Sequence, residues 1–535
     1  MNNIKILDCT LRDGGYINNW NFESSNIKTI INNLTKSGMD YIECGFLEDF
    51  ETYDINCSLF NSVDQIEQFI PENRGNTEFV AMTRFGELDI NNLKIYDGRS
   101  ISGIRITFHL EEMLDALEFC EQVKRKGYKV FVQPVGTTSY SDEELLSLIH
   151  MVNELNPYSF YIVDTLGTMT KNDVHRMYYL IDHNLNPEIK IGFHSHNNLQ
   201  LSFSNSQELV SLHAKRTIFI DSSVYGMGRG AGNLNTELIA EYINSNLGEV
   251  YDISYLLEII DECISSIRNQ YSWGYSVPYY LAAIHNCHPN YATFLINKKT
   301  LQVNLIAKIL TSIPIENREL YDNKLVEQLY LDFQAHWIND NEDIEKLKKI
   351  IKDKKILVLA PGKSVVEYKD KIDGFIEAEK PVIISVQFLP NGIDSDFVFF
   401  SNRKRIGTLE NELSDPNKQY KVIVTSNIGL KEFKNQFRIN YSSLLNSFDR
   451  VKDNSTLMLL NLLDQINLKE VTFAGFDGYH KGSSGNYISG SMETYLDEEI
   501  LLNINEEIRQ FLNIFSEKVK VRSITPTLYI DNDWV

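Results

Sequence analysis

The chain has 535 residues, more than one hydrophobic core usually serves, so we expect two domains. Hydrophobic residues make up 43% and charged residues 23%, the balance of a folded globular protein rather than a disordered one. The formal net charge of -22 argues against a nucleic-acid-binding surface, which needs clustered lysine and arginine.

The N-terminal residues MNNIKILDCTLRDGG run directly into a strand-like stretch, without the charged and then apolar segments of a secretory signal. No stretch approaches the roughly 18 apolar residues that span a membrane. The six cysteines form no Cys-x-x-Cys pair, so neither a zinc ribbon nor a thioredoxin-type motif is indicated. We therefore expect reduced thiols and a cytoplasmic location.

Eight β-rich runs alternate with helix-length segments in the first half of the chain. The runs are Ile4–Cys9, Tyr41–Gly45, Phe79–Met82, Gly103–Phe108, Val130–Gln133, Phe160–Asp164, Lys190–His194 and Thr217–Ser222. The segments between them carry apolar residues at helical spacing and begin near Ser, Thr, Asp or Asn. Eight such alternations in about 245 residues predict an α/β fold that begins with a TIM barrel over residues 1–250.

The chemistry of a TIM barrel lies where its strands end at the C-terminal face. Strand alternation in His194-Ser195-His196 puts both imidazoles on the same side of the backbone. Such a pair alone is more often exposed or merely hydrogen-bonded than a metal site. With Asp13, which follows the first strand, it predicts a mixed nitrogen and oxygen site suited to Mn, Mg, Co or Zn.

Residues 251–345 are predicted to form a helical extension that completes the active site or an interface. The charged run NDNEDIEKLKKIIKDKK at 339–355 marks the predicted domain junction. Five further β-rich runs follow, too few for a second barrel. They predict an open, mostly parallel, Rossmann-like domain over residues 350–535.

Three segments of the barrel carry a resemblance to a known family. They are LDCTLRDGG at 7–15, GFHSHNNLQLSFSNS at 192–206 and GMGRGAGNLNTE at 226–237. In order and spacing they resemble the signatures of the DRE-TIM metallolyases, also called the HMG-CoA lyase-like family, and most closely its 4-hydroxy-2-oxovalerate aldolase branch. The resemblance implies a divalent-metal-dependent aldolase or lyase that makes or breaks a carbon–carbon bond between pyruvate, or another 2-oxo acid, and an aldehyde.

The resemblance also implies roles for individual residues. Asp13, His194 and His196 would bind one divalent ion, with Mn²⁺ or Mg²⁺ ahead of Co²⁺ or Zn²⁺. Asn233 would be a fourth ligand or a neighbour of the metal. Arg12 would face the reacting carbonyl, where a guanidinium stabilises the enolate that forms on cleavage.

The remaining catalytic groups stay open at this point. Glu43 and Asp164 end the second and sixth strands, where a carboxylate either acts in catalysis or locks the barrel rim by hydrogen bonds. Tyr16 stands where pyruvate-forming aldolases have an acid/base histidine, and tyrosine is a poor base near neutrality, so the substrate and the reaction direction are open. The extension offers candidates for the missing group: Tyr275, Tyr279, His285, His288, Asn290 and Tyr291.

The C-terminal domain contains a predicted anion site. In LVLAPGKSVVEY, at 357–368, a strand leads through a Pro-Gly-Lys-Ser turn into a helix, whose first amides would bind an anion. Together with FFSNRKR and AGFDGY, this segment resembles the Rossmann-like domains of sialyltransferase-like and motility accessory proteins. The resemblance implies a nucleotide sugar held by Gly362, Lys363, Ser364 and Asp477, and a role in surface-polysaccharide or unusual-sugar synthesis. The alternative is a structural domain without an anion.

Two other functions stay open for the whole chain. An acyl-CoA-dependent condensing enzyme of the isopropylmalate synthase type would share the metal site, although its regulatory C-terminal domain is not evident. A non-catalytic barrel would act as a scaffold for a nucleotide-sugar-binding domain, although the complete set of Arg-Asp, His-x-His and Asn argues against it. We expect a homo-oligomer in each case.

Overall fold

The structure is a computed structural model. It describes residues 3–49, 52–212, 214–248, 250–318, 320–413, 420–429, 435–480, 486–489, 492 and 498–530. The chain forms two compact units, one of Met1–Ala292 with Pro314–Tyr321 and one of Thr293–Ile313 with Asp322–Val535. None of the helices in these described ranges combines the length and the hydropathy that crossing a bilayer requires.

The first unit is built on a closed parallel β-barrel. Its eight strands are β1 (Ile4–Asp8), β2 (Tyr41–Leu47), β4 (Glu78–Arg84), β5 (Gly103–Phe108), β6 (Lys129–Pro134), β7 (Ser159–Asp164), β8 (Lys190–Ser195) and β9 (Ile218–Ser222), and a short β3 (Leu59–Phe60) pairs with the end of β2. Because β1 pairs in parallel with both β9 and β2, the sheet closes on itself. The predicted TIM barrel is confirmed.

The helices of this unit surround the barrel strands, and the short first helix carries Arg12 and Asp13 of the candidate site. These helices are α1 (Thr10–Asp13), α2 (Gly15–Asn18), α3 (Ser24–Lys36), α4 (Val63–Glu67), α5 (Met113–Arg125), α6 (Asp142–Leu155), α7 (Lys171–Asn184), α8 (Ser202–Ser211), α9 (Thr236–Leu247), α10 (Ile253–Ile259), α11 (Ser265–Gln270) and α12 (Val277–Ile284), and α13 (Pro289–Asn297) contains the unit boundary. In α3, Ile27, Ile30, Ile31 and Leu34 recur at helical spacing and are all fully buried. This apolar stripe fixes which face of the helix meets the sheet.

Aromatic rings fill the barrel interior near the start of the strands. Tyr41 and Phe219 lie edge to face with ring centroids 5.0 Å apart. Gly192 leaves room for the Tyr161 ring, because a Cβ at that position would lie 2.2 Å from it. Since inward-facing side chains alternate along a strand, the next inward positions are two residues further on. Those positions are polar: Glu43 in β2, His194 in β8 and Asp221 in β9.

The second unit is an open, seven-stranded, fully parallel sheet. Its strands are β10 (Ile356–Leu359), β11 (Val382–Val386), β12 (Phe397–Phe400), β13 (Lys421–Thr425), β14 (Gln436–Ile439), β15 (Glu470–Ala474) and β16 (Lys520–Ser523), in the spatial order β14-β13-β12-β11-β10-β15-β16. Its helices are α14 (Val303–Thr311), α15 (Asn323–Gln334), α16 (Asn341–Ile351), α17 (Ser364–Glu367), α18 (Lys369–Glu379), α19 (Arg403–Leu413), α20 (Ser455–Gln465) and α21 (Glu498–Ser516). Apolar side chains cover both sheet faces, as in a doubly wound fold.

The boundary between the units lies earlier than the charged run that was predicted to mark it. That run forms α16, in which Leu347 and Ile351 are buried in the core of the second unit. The predicted extension over 251–345 is largely helical, but its residues are divided between the two units. Charge along the exposed face of α16 therefore hides an apolar stripe that belongs to the second core.

Candidate metal centre

The structure brings together the three residues that the sequence predicts as metal ligands. One ligand atom from each of Asp13, His194 and His196 lies within 4.8 Å of the others. The Asp13 Oδ2 atom is 3.7 Å from Nε2 of His194 and 3.6 Å from Nε2 of His196. Two imidazole nitrogens and one carboxylate fit a divalent ion that keeps open positions for substrate oxygens.

Hydrogen bonds at the far side of each imidazole orient the two rings. Nδ1 of His194 lies 2.9 Å from Oδ2 of Asp221, and Nδ1 of His196 lies 3.1 Å from the backbone oxygen of Asp164. In both rings Nε2 is left to face Asp13. Such partners fix the tautomer and the direction of a metal-ligating histidine.

Asp13 is positioned by the short turn that follows β1. Its backbone amide donates to the backbone oxygen of Cys9 at 2.8 Å, and this hydrogen bond begins α1 directly after the strand. Burial raises the pKa of Asp13, but Arg12 together with His196 and His194 lowers it by more, so that the pKa lies well below its usual value. The carboxylate is therefore ionised, as a metal ligand must be.

Asn233 completes the rim of this site from the glycine-rich segment. Its Nδ2 donates to Oδ2 of Asp13, and its buried Oδ1 has no hydrogen-bond partner. A Cβ on Gly228 would lie 2.5 Å from Nδ2 of Asn233 and 3.4 Å from Oδ2 of Asp13, so only glycine fits there. The orphaned oxygen suits a ligand or a close neighbour of a cation.

A buried ion network lies beneath the candidate ligands. Arg12 donates from Nε to Glu43 at 2.7 Å and from Nη1 to Asp13 at 2.7 Å. Arg105 lies 2.9 Å from Glu43 and donates to Asp221. These contacts therefore connect Arg12 to Asp221, the hydrogen-bond partner of His194. One buried network thus positions both the arginine and the histidine of the site.

The third nitrogen of Arg12 is free within this network. Nη2 of Arg12 is buried and has no hydrogen-bond partner. Because Nε and Nη1 are already fixed by carboxylates, the guanidinium plane is set before any substrate arrives. Glu43 is fully buried against two arginines, so its contacts are those of a positioning group.

Arg105 and Asp221 are members of the site that sequence reasoning missed. Both are fully or almost fully buried, at 0% and 1% exposure. Each stands alone inside an apolar run, GIRITF or IFIDS, whose strand is buried on both faces. A charged residue in such a strand is rarely buried without an oppositely charged partner. A single charged residue within each apolar run could therefore have indicated a buried ion pair.

Removing the charge of Asp221 should weaken metal binding. Asp221→Asn keeps a polar partner for His194 but loses the carboxylate that orients it and pairs with Arg105, so we expect affinity for Mn²⁺ to fall by roughly 10- to 100-fold. Calorimetric titration with Mn²⁺ measures this affinity. The matched control is Asp182→Asn, which removes a carboxylate on α7 that forms an ion pair with Arg216. Equal affinity in both variants would contradict the role of Asp221.

The side chain of Asp164 faces the loop after β7. Its carboxylate accepts the amides of Thr168 at 2.9 Å and Met169 at 3.1 Å. Burial raises its pKa to about 6. These contacts shape the rim near His196, and the charge of the Asp164 carboxylate interacts with that of His196.

Tyr16 lies at the mouth of the site. Its ring packs against Trp20 with centroids 4.7 Å apart, and the Arg229 guanidinium lies over it at 4.2 Å from the centroid. Burial raises the pKa of the phenol. Tyr16 is thus protonated near neutrality, which makes it a proton donor and a poor base.

The candidates in the extension differ in where they lie. Tyr275 is 60% exposed, whereas the ring of Tyr279 lies 3.6 Å from the position of a Cβ on Gly230 in the glycine-rich segment. Tyr291 is buried and donates to the backbone oxygens of 317 and 320, which is a structural role. Asn290 is exposed.

The two histidines of this stretch also differ. Burial, together with the charges of Arg229 and His196, lowers the pKa of His288 to about 4. His285 interacts instead with Arg318. His288 is therefore a neutral imidazole within the electrostatic reach of the candidate site.

The predicted anion site in the second unit has a different arrangement from the expected one. Asp477 accepts the Ser364 amide at 2.9 Å and also the Ser364 hydroxyl, and the Gly362 amide donates to the backbone oxygen of Gly475 at 2.9 Å. Lys363 is exposed. The amides predicted to meet a phosphate are thus already bonded to oxygen atoms of the protein.

Comparisons with known proteins find similarity in the barrel half of the chain. Residues 3–259 match the HMGL-like family model. An oxaloacetate decarboxylase of Mycobacterium tuberculosis is 26% identical over 239 residues, 44% of this chain and 68% of the relative. A 4-hydroxy-2-oxovalerate aldolase of Pseudoalteromonas translucida is 24% identical over 288 residues, 52% of this chain and 82% of the relative. The solved HMG-CoA lyase of Brucella melitensis has a TM-score of 0.38 and 16% identity, and covers 48% of this chain and 95% of that one.

Proposed function

Since residues 3–259 match the HMGL-like family model, we propose that this chain is a divalent-metal-dependent lyase that cleaves or forms a carbon–carbon bond next to a 2-oxo acid, with an aldehyde as the second partner. The observation that carries the proposal is the free Nη2 of Arg12 beside Asp13, His194 and His196. The predicted role in surface-polysaccharide or unusual-sugar synthesis stays a prediction.

Asp13, His194 and His196 would hold the ion, and Asn233 would stand beside it. When bound there, a divalent ion supplies Lewis-acid polarisation of the substrate. Arg12 would donate from Nη2 to the oxygen on which negative charge develops as the bond breaks. Glu43 and Asp13 hold the guanidinium in place, so this donor needs no reorganisation during the reaction.

Aldol cleavage also requires a base for the hydroxyl proton of the substrate. The phenol of Tyr16 is unsuited because burial raises its pKa. His288 is neutral near pH 7, because burial and the charges of Arg229 and His196 lower its pKa to about 4. Its imidazole therefore has a nitrogen lone pair that can accept a proton. In this proposal His288 accepts the hydroxyl proton as the carbon–carbon bond breaks to give the aldehyde and the enolate of the 2-oxo acid, and Tyr16 donates a proton to the enolate carbon to give the 2-oxo acid.

Decarboxylation of a 2-oxo acid is the second candidate function. One relative is named an oxaloacetate decarboxylase, and loss of carbon dioxide requires no base at a substrate hydroxyl. The contact from Nη2 of Arg12 would also stabilise decarboxylation, because negative charge again develops on the 2-oxo oxygen of the substrate. The two candidates therefore differ in their need for His288.

The direct test is a metal-dependent assay on both substrate types. Purified protein with Mn²⁺ or Mg²⁺ is given 4-hydroxy-2-oxo acids of increasing chain length, and in parallel oxaloacetate, and the released pyruvate is measured by an enzyme-coupled assay. We expect cleavage of at least one 4-hydroxy-2-oxo acid, its loss on chelation and its recovery when Mn²⁺ is returned. Activity that survives complete chelation would contradict the proposal.

His288→Gln should separate the two candidates. The substitution keeps a polar side chain of similar reach but removes the base, so we expect cleavage of the 4-hydroxy-2-oxo acid to fall by roughly 100-fold while any decarboxylation is unchanged. Steady-state rates on both substrates measure this, and His285→Gln is the matched control. Equal loss on both substrates would show that His288 acts on the fold or the metal and not as the base.

A further inference from the structure

The second unit contains a cavity that the proposed reaction does not use. Its volume is about 790 Å³. Sites that bind small molecules usually measure roughly 300 to 1,000 Å³. The cavity opens at the C-terminal edge of the parallel sheet, because its lining includes Ala360, Gln387 and Gly475, which directly follow β10, β11 and β15.

This position is the topological switch point of the sheet. The strands β11 to β14 extend from one side of β10, whereas β15 and β16 extend from the other. In open parallel sheets, ligands bind in the crevice formed where the loops of two such strands diverge. The fold therefore provides a ligand-binding crevice between the loops that follow β10 and β15, and this crevice does not depend on any short sequence motif.

Two glycines keep the loops at this crevice close together. Gly475 has a φ of 78°, and a Cβ there would lie 2.1 Å from the backbone oxygen of Ala360. A Cβ on Gly362 would lie 2.2 Å from the backbone oxygen of Gly475. Only glycine allows this approach at both positions, so the rim of the cavity is defined by backbone.

Part of the cavity lining is basic. Lys298, Lys299 and Arg405 all contribute to it. Asn402 ties their segments together, because its Nδ2 donates to the Lys299 oxygen at 2.9 Å and its Oδ1 accepts the Arg405 amide at 3.2 Å. Burial lowers the pKa of Arg405, so a bound anion would stabilise its charged form.

The basic side chains are held by their surroundings. The Nζ of Lys298 lies 5.2 Å from the ring centroid of Phe294 and 5.3 Å from that of Tyr330. It is also 3.9 Å from Asp453, which accepts the Tyr330 hydroxyl. Lys298 thus points along a fixed direction, and less side-chain entropy is lost when it meets an anion.

Another part of the lining is aromatic and apolar. The rings of Phe476 and Tyr529 have centroids 4.7 Å apart and are almost fully buried, and Ile504 and Ile508 lie beside them in the lining. Asp477 follows Phe476 and also lines the cavity. Its carboxylate already accepts from Ser364, but a carboxylate has about four acceptor sites, which leaves capacity for sugar hydroxyls.

From this lining we infer that the cavity of the second unit binds a nucleoside diphosphate. The phosphates would meet Lys298, Lys299 and Arg405, the base would pack against the aromatic and apolar lining, and Asp477 would accept from the ribose. A bare phosphate would make no use of the apolar lining, and an apolar ligand would make no use of the basic lining. The class includes the nucleotide sugars predicted from the sequence.

The test is calorimetric titration of the full chain with UDP, CDP, ADP and GDP, and with pyrophosphate as the probe that lacks a base and a ribose. We expect at least one nucleoside diphosphate to bind at least tenfold more tightly than pyrophosphate. Arg405→Gln and, separately, Lys298→Met should each weaken that binding by at least about tenfold. Lys349→Ala is the matched control, because Lys349 is exposed on α16 of the same unit and does not line the cavity, and it should leave binding unchanged.

Three results would overturn the inference. They are no binding by any of the four nucleotides, pyrophosphate binding as tightly as they do, and nucleotide binding that survives both Arg405→Gln and Lys298→Met. Circular dichroism confirms that each variant is folded, and Arg405→Lys, which keeps the charge, should retain part of the affinity. Pyruvate release by the barrel is measured in the same variants, so failure of this site and failure of the proposed lyase are distinguishable.

Discussion

Arg12→Lys should lower the rate of carbon–carbon bond cleavage by roughly two to three orders of magnitude. Lysine keeps the positive charge but loses the planar fork, so it cannot contact Glu43 and Asp13 and still present a nitrogen to the substrate. Loss of a single preorganised donor to a developing oxyanion has this magnitude. We expect the loss mainly in kcat, because the contact strengthens as charge develops.

The experiment needs a control for the fold and for the metal. Arg125→Lys, on α5 with a side chain 73% exposed, should leave turnover and melting temperature unchanged. Mn²⁺ binding by Arg12→Lys should persist, since all three candidate ligands remain. Turnover within about threefold of the parent protein would remove Arg12 from the mechanism.

His194→Ala should abolish stoichiometric binding of a divalent ion and, with it, all lyase activity. His194 supplies one of only three convergent donors in the described residues, and its loss leaves a two-ligand site. The variant also leaves Asp221 with Arg105 as its remaining charged partner, so we expect the barrel to stay folded. Metal analysis of the purified protein after dialysis is the measurement.

His150→Ala is the matched control for this variant. His150 lies on α6 with its side chain 78% exposed, so its removal should change neither metal content nor activity. Full metal occupancy in His194→Ala would show that the ion binds elsewhere. Metal lost equally from both variants would point to non-specific binding.

The candidate ligands could be predicted from the sequence because a parallel barrel brings all its strand ends to one face. Asp13 follows β1 and His196 follows β8, and these positions are fixed by strand order alone. No knowledge of side-chain packing was needed to place them together. The same argument found Glu43 and Arg12, which form an ion pair, although not Arg105, the second arginine that contacts Glu43.

Arg105 could not be assigned in the same way. Its partners, Glu43 and Asp221, come from strands 62 and 116 residues away along the chain. Which inward residues meet across a barrel depends on its tilt and stagger, and sequence spacing does not specify them. The charged run also conceals an apolar face, because α16 buries Leu347 and Ile351 in the core of the second unit.

The buried ion network also constrains the order in which ligands bind. Its two arginines and three carboxylates, Arg12, Arg105, Asp13, Glu43 and Asp221, carry one net negative charge. That negative charge repels the carboxylate of a free 2-oxo acid. A bound divalent ion changes the net charge of the network from one negative to one positive, and binding of one monoanion then makes it zero. Pyruvate should therefore bind measurably only after Mn²⁺, and a substrate with a second negative charge should bind more weakly than its neutral-tailed counterpart.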